Sequence, residues 1–167
     1  MATENTNYVL YLIERSQAGV RNSFFDLCEI NLHTVFNISY HLLSTIEAAK
    51  KNALDTFFHV WETIKDFNSQ TSFVLWLKEL TVKYAIFEMK RNGLSYSYKP
   101  LINPSSDPHE LLEQMIKCLP DEDRIILILH DMEDYTFKEI MNFLPGLSQD
   151  EIKSKLINAR EYLISKL

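Results

Sequence analysis

The sequence predicts an all-α protein of two small helical domains joined by a flexible linker. The chain of 167 residues contains three glycines and five prolines, whereas all-β folds need many such residues in their turns. Apolar and aromatic residues recur at spacings of three and four along most of the chain, which is the period of an amphipathic helix. A chain of this length can bury a core without disulfide bonds or metal sites.

Several helical patterns precede the linker. Residues 17–43 carry apolar positions at helical spacing, as one long helix or a helix pair. Ser44 and Glu47 have the spacing of a capping box, so the next helix is predicted to start there. Its inner side carries Ala49, Ala53, Phe57, Val60 and Trp61. A polar turn over residues 66–72 then leads into a helix with Trp76 on its apolar side, and we expect Trp61 and Trp76 to belong to the core.

Residues 92–107 form the predicted linker. They combine an Asn-Gly pair, two prolines and four serines, and they lack helical periodicity. Asp107, Pro108 and Glu110 then supply an N-cap, a proline at the first helical position and a carboxylate in the first turn. The predicted domains are therefore residues 1–91 and 108–167.

The last third of the chain has the pattern of two short helices joined by a tight turn at residues 145–147. Thr136 and Ser148 each precede a glutamate by three residues, so each begins a helix with a capping box. A buried stripe on the second helix consists of Ile152, Leu156, Ala159 and Leu163. The pattern fits a helix-turn-helix and an ordinary helical hairpin equally well.

Charge is unevenly distributed. Acids and bases balance up to Pro104, and thirteen acids face seven bases beyond it, so the net charge of −6 lies in the C-terminal third. A DNA-binding domain usually has the opposite sign.

Other functional classes have little support in the sequence. Cys28 and Cys118 lie in unrelated contexts, which predicts buried thiols in a reducing compartment. The N-terminus has no basic leader and the longest apolar run is short, so we expect a cytoplasmic protein without membrane insertion. The five histidines are scattered, and no nucleophile or metal-ligand pattern is present. We therefore expect neither an enzyme nor a cofactor.

The order of motifs resembles the extracytoplasmic-function (ECF) sigma factors, the smallest sigma subunits of bacterial RNA polymerase. Thr56-Phe57 with Trp61, followed by Ser72-Phe73 with Trp76-Leu77, matches the family's second conserved region in residue type and spacing. The most specific C-terminal pieces are Leu119-Pro120, residues 136–140, and residues 152–156 followed by Ala159-Arg160-Glu161. The resemblance covers residues 17–167.

The resemblance implies a protein that binds the β′ clamp helices of core RNA polymerase, reads promoter DNA with both domains and is controlled by an anti-sigma factor. The implied polymerase-binding residues are Lys50, Lys51, Leu54, Asp55 and Phe58. In the first domain, the implied DNA-binding residues are Asn68, Ser69, Gln70, Thr71, Lys83, Lys90 and Arg91, of which the first four belong to a loop that captures a flipped base. In the second domain they are Ser148, Lys153, Ser154, Lys155, Asn158 and Arg160.

The second helix of the helix-turn-helix would be the recognition helix, the one that enters the major groove. Its residue types predict a division of roles. Asn158 and Lys153 can reach base edges, Ile157 can touch a thymine methyl, and Lys155 and Arg160 can hold phosphates.

Departures from the family pattern leave two hypotheses open. Lys50 and Lys51 stand where the family usually has acids, Leu54 replaces a usual glutamine, and Pro145 is an extra residue in the C-terminal turn. The chain is either a divergent sigma factor or a sigma-like decoy that binds an anti-sigma factor without touching DNA. The sigma factor is favoured because free-standing decoys are rarer.

Overall fold

The computed structural model describes residues 2–91 and 107–166, with side chains from Asn7 onward. This part of the chain consists of helices, turns and loops without a strand, which confirms the predicted all-α class. Two compact units are present, Met1–Ala85 and Ile86–Leu167. The predicted linker lies outside the described residues except for Asp107, and the division into functional domains at residues 91 and 108 stays a prediction.

Four helices build the N-terminal part of the chain. They are α1 (Ala2–Gln17), α2 (Arg21–Leu43), α3 (Ile46–Thr63) and α4 (Phe73–Arg91), with a 3₁₀ turn at Ile64–Asp66. The pattern over residues 17–43 is thus a single helix, α2, preceded by a tight turn in which Gly19 has φ 85°. Helix α2 contacts both α1 and α3, and the boundary between the two units falls within α4.

The core of this unit draws apolar side chains from all four helices. It contains Leu12, Ile13, Phe24, Leu27, Val35, Ala53, Val60, Ile64, Phe67, Phe73 and Leu77. Trp61 and Trp76 are half-buried against this cluster, which confirms their predicted place in the core. Cys28 packs there too, and burial raises the pKa of its thiol to about 12, so the thiol is unreactive.

The predicted capping box at Ser44 and Glu47 is wrong by one residue. Thr45 is the N-cap of α3, because its hydroxyl accepts a hydrogen bond from the Ala48 backbone N–H at 3.2 Å. Ser44 instead ends α2 in the left-handed conformation, with φ 65°, and its backbone N–H donates to the Tyr40 carbonyl. An N-cap residue needs extended backbone, so Ser44 cannot fill both roles.

A buried amide ties α2, α3 and α4 together. Asn52 Nδ2 on α3 donates to Ser39 Oγ on α2 at 2.8 Å and to the Thr81 carbonyl on α4 at 3.2 Å. The hydroxyls of Ser39 and Thr81 donate to the Val35 and Leu77 carbonyls of their own helices. Because an unpaired buried amide is costly, these bonds fix how the three helices are rotated against one another.

Four further helices lie within residues 107–166, the part of the C-terminal unit that is described beyond α4. They are α5 (Pro108–Lys117), α6 (Asp121–Leu127), α7 (Phe137–Phe143) and α8 (Gln149–Ile164). Helix α6 continues into a π-helical turn at Ile128–Met132. The predicted starts at Asp107, Thr136 and Ser148 are confirmed, since Asp107 caps α5, and Thr136 and Ser148 each form a capping box with the glutamate three residues later.

Helix α6 packs against α8. Its last residues are buried, as are Ile152, Leu156 and Ala159 of α8, which confirms most of the predicted stripe; Leu163 is half-buried. Arg124 is also buried, and its Nη2 donates to Asp121 Oδ1 at 2.8 Å. None of the described helices is long and apolar enough to cross a membrane.

Candidate nucleic-acid interface

The loop between the 3₁₀ turn and α4 exposes four consecutive polar side chains. Asn68, Ser69, Gln70 and Thr71 form what we call the polar loop, and all four are solvent-exposed. Asn68 Oδ1 accepts a hydrogen bond from the Gln70 backbone N–H at 3.2 Å, and Ser69 has φ 48°, so the backbone turns tightly. The exposed amides and hydroxyls offer both donors and acceptors to a base edge.

The polar loop is supported on both sides. Before it, Gln17 Nε2 donates to the Ile64 carbonyl at 3.0 Å and to the Phe67 carbonyl at 2.8 Å. After it, the rings of Phe73 and Trp76 pack on the Phe67 ring, with centroids 5.5 and 5.1 Å away. The loop therefore presents exposed side chains on a backbone that buried groups hold in place.

Helix α4 carries the other residues of the first domain that are predicted to bind DNA. Lys83, Lys90 and Arg91 are all exposed. Lys83 Nζ lies 3.8 Å from Glu79 Oε2, and Arg91 Nη2 lies 2.8 Å from Glu88 Oε2. Because two of the three cations have a carboxylate neighbour, this helix attracts phosphate less than its basic residues suggest.

The residues predicted to bind polymerase share one exposed face of α3. Lys50, Leu54 and Phe58 follow one another at intervals of four, and Lys51 and Asp55 lie beside them. Leu54 is 71% exposed and Phe58 is 66% exposed. Lys51 and Asp55 form an ion pair of 2.8 Å. Large exposed apolar side chains beside a neutralised charge pair are typical of a surface that binds another protein. We call these five residues the α3 face.

Helices α7 and α8 form the predicted helix-turn-helix, and the exposed side of α8 carries uncharged side chains among charged ones. Ser154 and Asn158 are exposed, and Ile157 is 53% exposed. Lys153 is exposed as well, with its Nζ 3.4 Å from Asp150 Oδ1. This side of α8 can therefore reach base edges and thymine methyl groups if the helix enters a major groove.

The start of α8 already holds a carboxylate. Ser148 Oγ donates to Glu151 Oε2 at 2.7 Å, and the Ser148 backbone N–H donates to the same oxygen at 2.8 Å. The bond from the Ser148 hydroxyl lowers the pKa of Glu151. A phosphate at this helix start would meet an ionised side chain in the position where anions bind.

The two residues predicted to hold phosphates are paired with acids of their own unit. Lys155 Nζ lies 3.0 Å from Glu122 Oε2 and 3.3 Å from Asp123 Oδ1, and the bond to Glu122 raises the pKa of Lys155. Arg160 donates through Nε and Nη2 to the two oxygens of Asp131, at 2.9 and 2.6 Å. The bond from Arg160 lowers the pKa of Asp131. A DNA phosphate would have to compete with these carboxylates.

Sequence reasoning missed two residues that lie far away in the chain, one that holds the backbone of the polar loop and one that pairs with a cation of α8. Gln17 lies 47 and 50 positions from its two acceptors, and Asp131 lies 29 positions from Arg160. No spacing rule connects residues so far apart, and only the charge of Asp131 was a signal. Among the described residues, no group of three or more His, Cys, Asp or Glu side chains is placed to hold a metal ion.

Solved structures identify this fold. The sigma factor RpoE in complex with the anti-sigma factor NepR from Bartonella quintana superposes with a TM-score of 0.64 at 17% identity, over 85% of this chain and 94% of that one. CnrH in complex with the cytosolic domain of CnrY gives 0.61 at 18% identity, over 93% of this chain and 94% of that one. The helical units with their helix-turn-helix therefore define the fold of an RNA polymerase sigma factor.

Related sequences agree with the fold. The ECF sigma factor SigW of Bacillus subtilis is 19% identical over 93% of this chain and 94% of SigW, and the sigma factor YlaC of the same organism is 26% identical over 84% and 89%. The probable sigma factor RfaY of Xanthomonas campestris is 23% identical over 93% of this chain, which spans 43% of RfaY. No family model matches. The resemblance to ECF sigma factors that the sequence predicts is confirmed, at identities low enough to make this chain divergent from each of these relatives.

Proposed function

We propose that this chain binds core RNA polymerase through the α3 face and directs the enzyme to specific promoters. The observation that carries the proposal is the match to SigW, which covers nearly the full length of both chains. The α3 face supports it as well, because Leu54 and Phe58 are exposed although the unit has a well-filled core. A partner protein that covers these side chains would remove them from water.

At the promoter, the polar loop would capture a flipped base and α8 would read the upstream element. Flipping a base costs a few kcal/mol of stacking and pairing, which a pocket with prepositioned polar groups can offset. The amides of Asn68 and Gln70 suit the edge of such a base. On α8, Asn158 matches the donor and acceptor pair of adenine, and Ile157 matches a thymine methyl.

Binding to polymerase is central to this function because the chain has little electrostatic attraction to DNA. The C-terminal third is acidic, and the cations of α8 are paired within the unit. Attachment to polymerase would hold α8 near the promoter at a high effective concentration, so that weak contacts become sufficient.

An anti-sigma factor is the other proposed partner. The sigma factor RpoE, which has this fold, is held in complex with the anti-sigma factor NepR, and this supports the same kind of control here. A protein that works on polymerase and promoter DNA acts in the cytoplasm, and its role requires no catalytic residue and no cofactor. We propose both the location and the non-catalytic role on this basis.

The decoy remains a second candidate because of one observation. Lys155 and Arg160, the residues expected to hold phosphates, are bound to acids of the same unit. A decoy would keep the fold and the anti-sigma surface, and it would not need cations that are available to DNA.

Reconstitution with core RNA polymerase separates the two functions. The purified chain is mixed with core enzyme, co-elution is measured by gel filtration, and run-off transcripts from a sheared genomic library are sequenced. A sigma factor should co-elute and give transcripts that share an upstream motif, and Leu54→Asp should abolish both results. Absence of co-elution, or co-elution without specific transcripts, would overturn the proposal.

A further inference from the structure

We propose that Gln17 is a positioning residue for base capture, because its side-chain amide holds the backbone from which the polar loop departs. This inference rests on the proposed function, in which the polar loop receives a flipped promoter base. Gln17 is the last residue of α1 and does not belong to the loop. It would act on DNA only through the loop.

The geometry requires the amide nitrogen to face the chain. Gln17 Nε2 lies 3.0 Å from the Ile64 carbonyl oxygen and 2.8 Å from the Phe67 carbonyl oxygen. Both partners are acceptors, so the amide must point its NH₂ group at them and use both hydrogens. The two carbonyls lie at the start and just after the end of the 3₁₀ turn, immediately before Asn68.

These two carbonyls need support because the 3₁₀ turn is short. The Ile64 carbonyl accepts one backbone bond, from Phe67 N–H at 3.2 Å. Carbonyls at the end of a helical turn otherwise depend on water or on side-chain donors. Gln17 supplies a donor to both, and it therefore fixes the direction in which the chain leaves the core.

The far end of the loop is already fixed. The Trp76 backbone N–H donates to the Ser72 carbonyl at 3.1 Å, and the Phe73 ring packs edge-on against the Phe67 ring. With Gln17 in place, both ends of a loop of four residues are held. Loss of the amide would release one end, and base capture would then have to order the loop as well as bind the base.

The test measures base discrimination by the reconstituted holoenzyme. The template is a premelted duplex made from the strongest promoter found by genomic run-off transcription. Each unpaired non-template base is replaced in turn by an abasic nucleotide, and the ratio of the two affinities is determined at the position that matters most. This ratio reports capture of the base and cancels general attraction to DNA.

Gln17→Leu and Gln17→Glu should each lower the ratio about tenfold, because one removes the donor and the other places an oxygen against two carbonyls. Gln17→Lys keeps a donor with sufficient reach and should hold the ratio within about threefold of wild type. The affinity for core polymerase should not change in any of them.

Val60→Ala is the matched control, because Val60 belongs to the core cluster that contains Ile64 and Phe67, the two residues whose carbonyls Gln17 holds. Val60→Ala should lower the melting temperature and leave the ratio of affinities unchanged. If Gln17 contributed only to stability, the two substitutions would change the ratio alike. A wild-type ratio in Gln17→Leu, or an equal loss in Val60→Ala, would overturn the inference. If the wild-type holoenzyme discriminates at no position, the polar loop itself is not the base-capture site and the proposed function of that loop fails instead.

Discussion

Two groups of residues on α8 differ in what they can offer to DNA. Ser154, Ile157 and Asn158 are exposed and uncharged, whereas Lys155 and Arg160 are tied to acids of the same unit. Sequence preference depends on hydrogen bonds and apolar contacts to base edges, and phosphate contacts add affinity without preference. The composition of this surface therefore favours selectivity over affinity.

Asn158→Ala should weaken binding of holoenzyme to its preferred upstream element by about 1–3 kcal/mol and relax the preference at one base pair. The reason is that an amide can bond to adenine in two places and alanine in none. Affinities for the preferred duplex and its single-base variants provide the measurement. Asn142→Ala, at another exposed asparagine on α7, is the control and should change neither value. An equal loss of affinity on every duplex would mean that Asn158 contacts the DNA backbone and not a base.

Asp131→Asn should remove a pH-dependent contribution to stability. The folded pKa of Asp131 lies below the unfolded value of about 3.9, so ionised Asp131 stabilises the fold fully above about pH 5 and loses this effect as the pH falls through the folded pKa. The free energy of unfolding of the variant should be lower than that of wild type by at most about 1 kcal/mol. That difference should shrink below about pH 4, where the Asp131 carboxylate of the wild type becomes protonated.

Urea unfolding at several pH values measures this difference. Asp134→Asn removes a neighbouring exposed carboxylate and is the matched control for the loss of one negative charge. A constant difference for Asp131→Asn down to pH 2 would mean that the ion pair with Arg160 does not cause it.

At the scale of the element, α3 combines a buried side with an exposed apolar side. Phe58→Ala should weaken binding to core polymerase by about ten- to hundredfold, as expected for an aromatic residue at the centre of an interface. Phe25→Ala on α2 is the matched control, because Phe25 is 65% exposed and Phe58 is 66% exposed. Titration of labelled protein against core enzyme gives both affinities. Equal losses of affinity in the two variants would contradict the proposal that the α3 face binds polymerase.

The buried Asn52 should be important for the packing of three helices. Asn52→Ala removes bonds to Ser39 and Thr81 and leaves a small cavity, so we expect the unfolding free energy to fall by about 2–3 kcal/mol. Denaturant unfolding followed by circular dichroism measures the change. Asn22→Ala, at an exposed position of α2, should stay within about 0.5 kcal/mol of wild type. Similar effects of both substitutions would show that the network adds no stability.

Helix starts show which parts of the fold a sequence can predict. Thr136 and Ser148 were predictable because a capping box is a local motif, complete within four residues. Ser44 and Thr45 are adjacent hydroxyl residues, and the choice between them depends on where α2 ends, which is a matter of tertiary packing. Local chemistry thus predicts that a helix begins, and neighbouring elements decide at which residue.

At the scale of the whole molecule, the sequence predicts the candidate site only in part. The exposed positions of the polar loop, the α3 face and α8 followed from helical spacing and from family resemblance. The charge of these surfaces did not, because the partners of Lys155 and Arg160 lie 32 and 29 residues away in the chain. The position of a basic residue on α8 could therefore be predicted from the sequence. Whether a carboxylate of the same unit already pairs with it could not.

The net charge of −6 predicts how the isolated chain behaves toward DNA. At physiological salt, its dissociation constant for a random duplex should be weaker than about 10⁻⁴ M, the weak end of the range for non-specific binders. Fluorescence anisotropy of a labelled duplex, with and without core polymerase, tests this expectation. Micromolar binding by the isolated chain would show that its paired cations are available to phosphate.

The π-helical turn at Ile128–Met132 bears on how strongly the chain is attracted to DNA. The Glu133 backbone N–H bonds to the Ile128 carbonyl five residues earlier, so this turn holds one residue more than an α-helical turn. Deletion of one residue from this turn would let it close with α-helical hydrogen bonds, and Asp131 would leave its present place opposite Arg160. Arg160 would then lose its carboxylate without any change in α8. We therefore expect a variant with one residue deleted from this turn to be attracted to DNA more strongly, and with a steeper dependence on salt, than the wild-type chain.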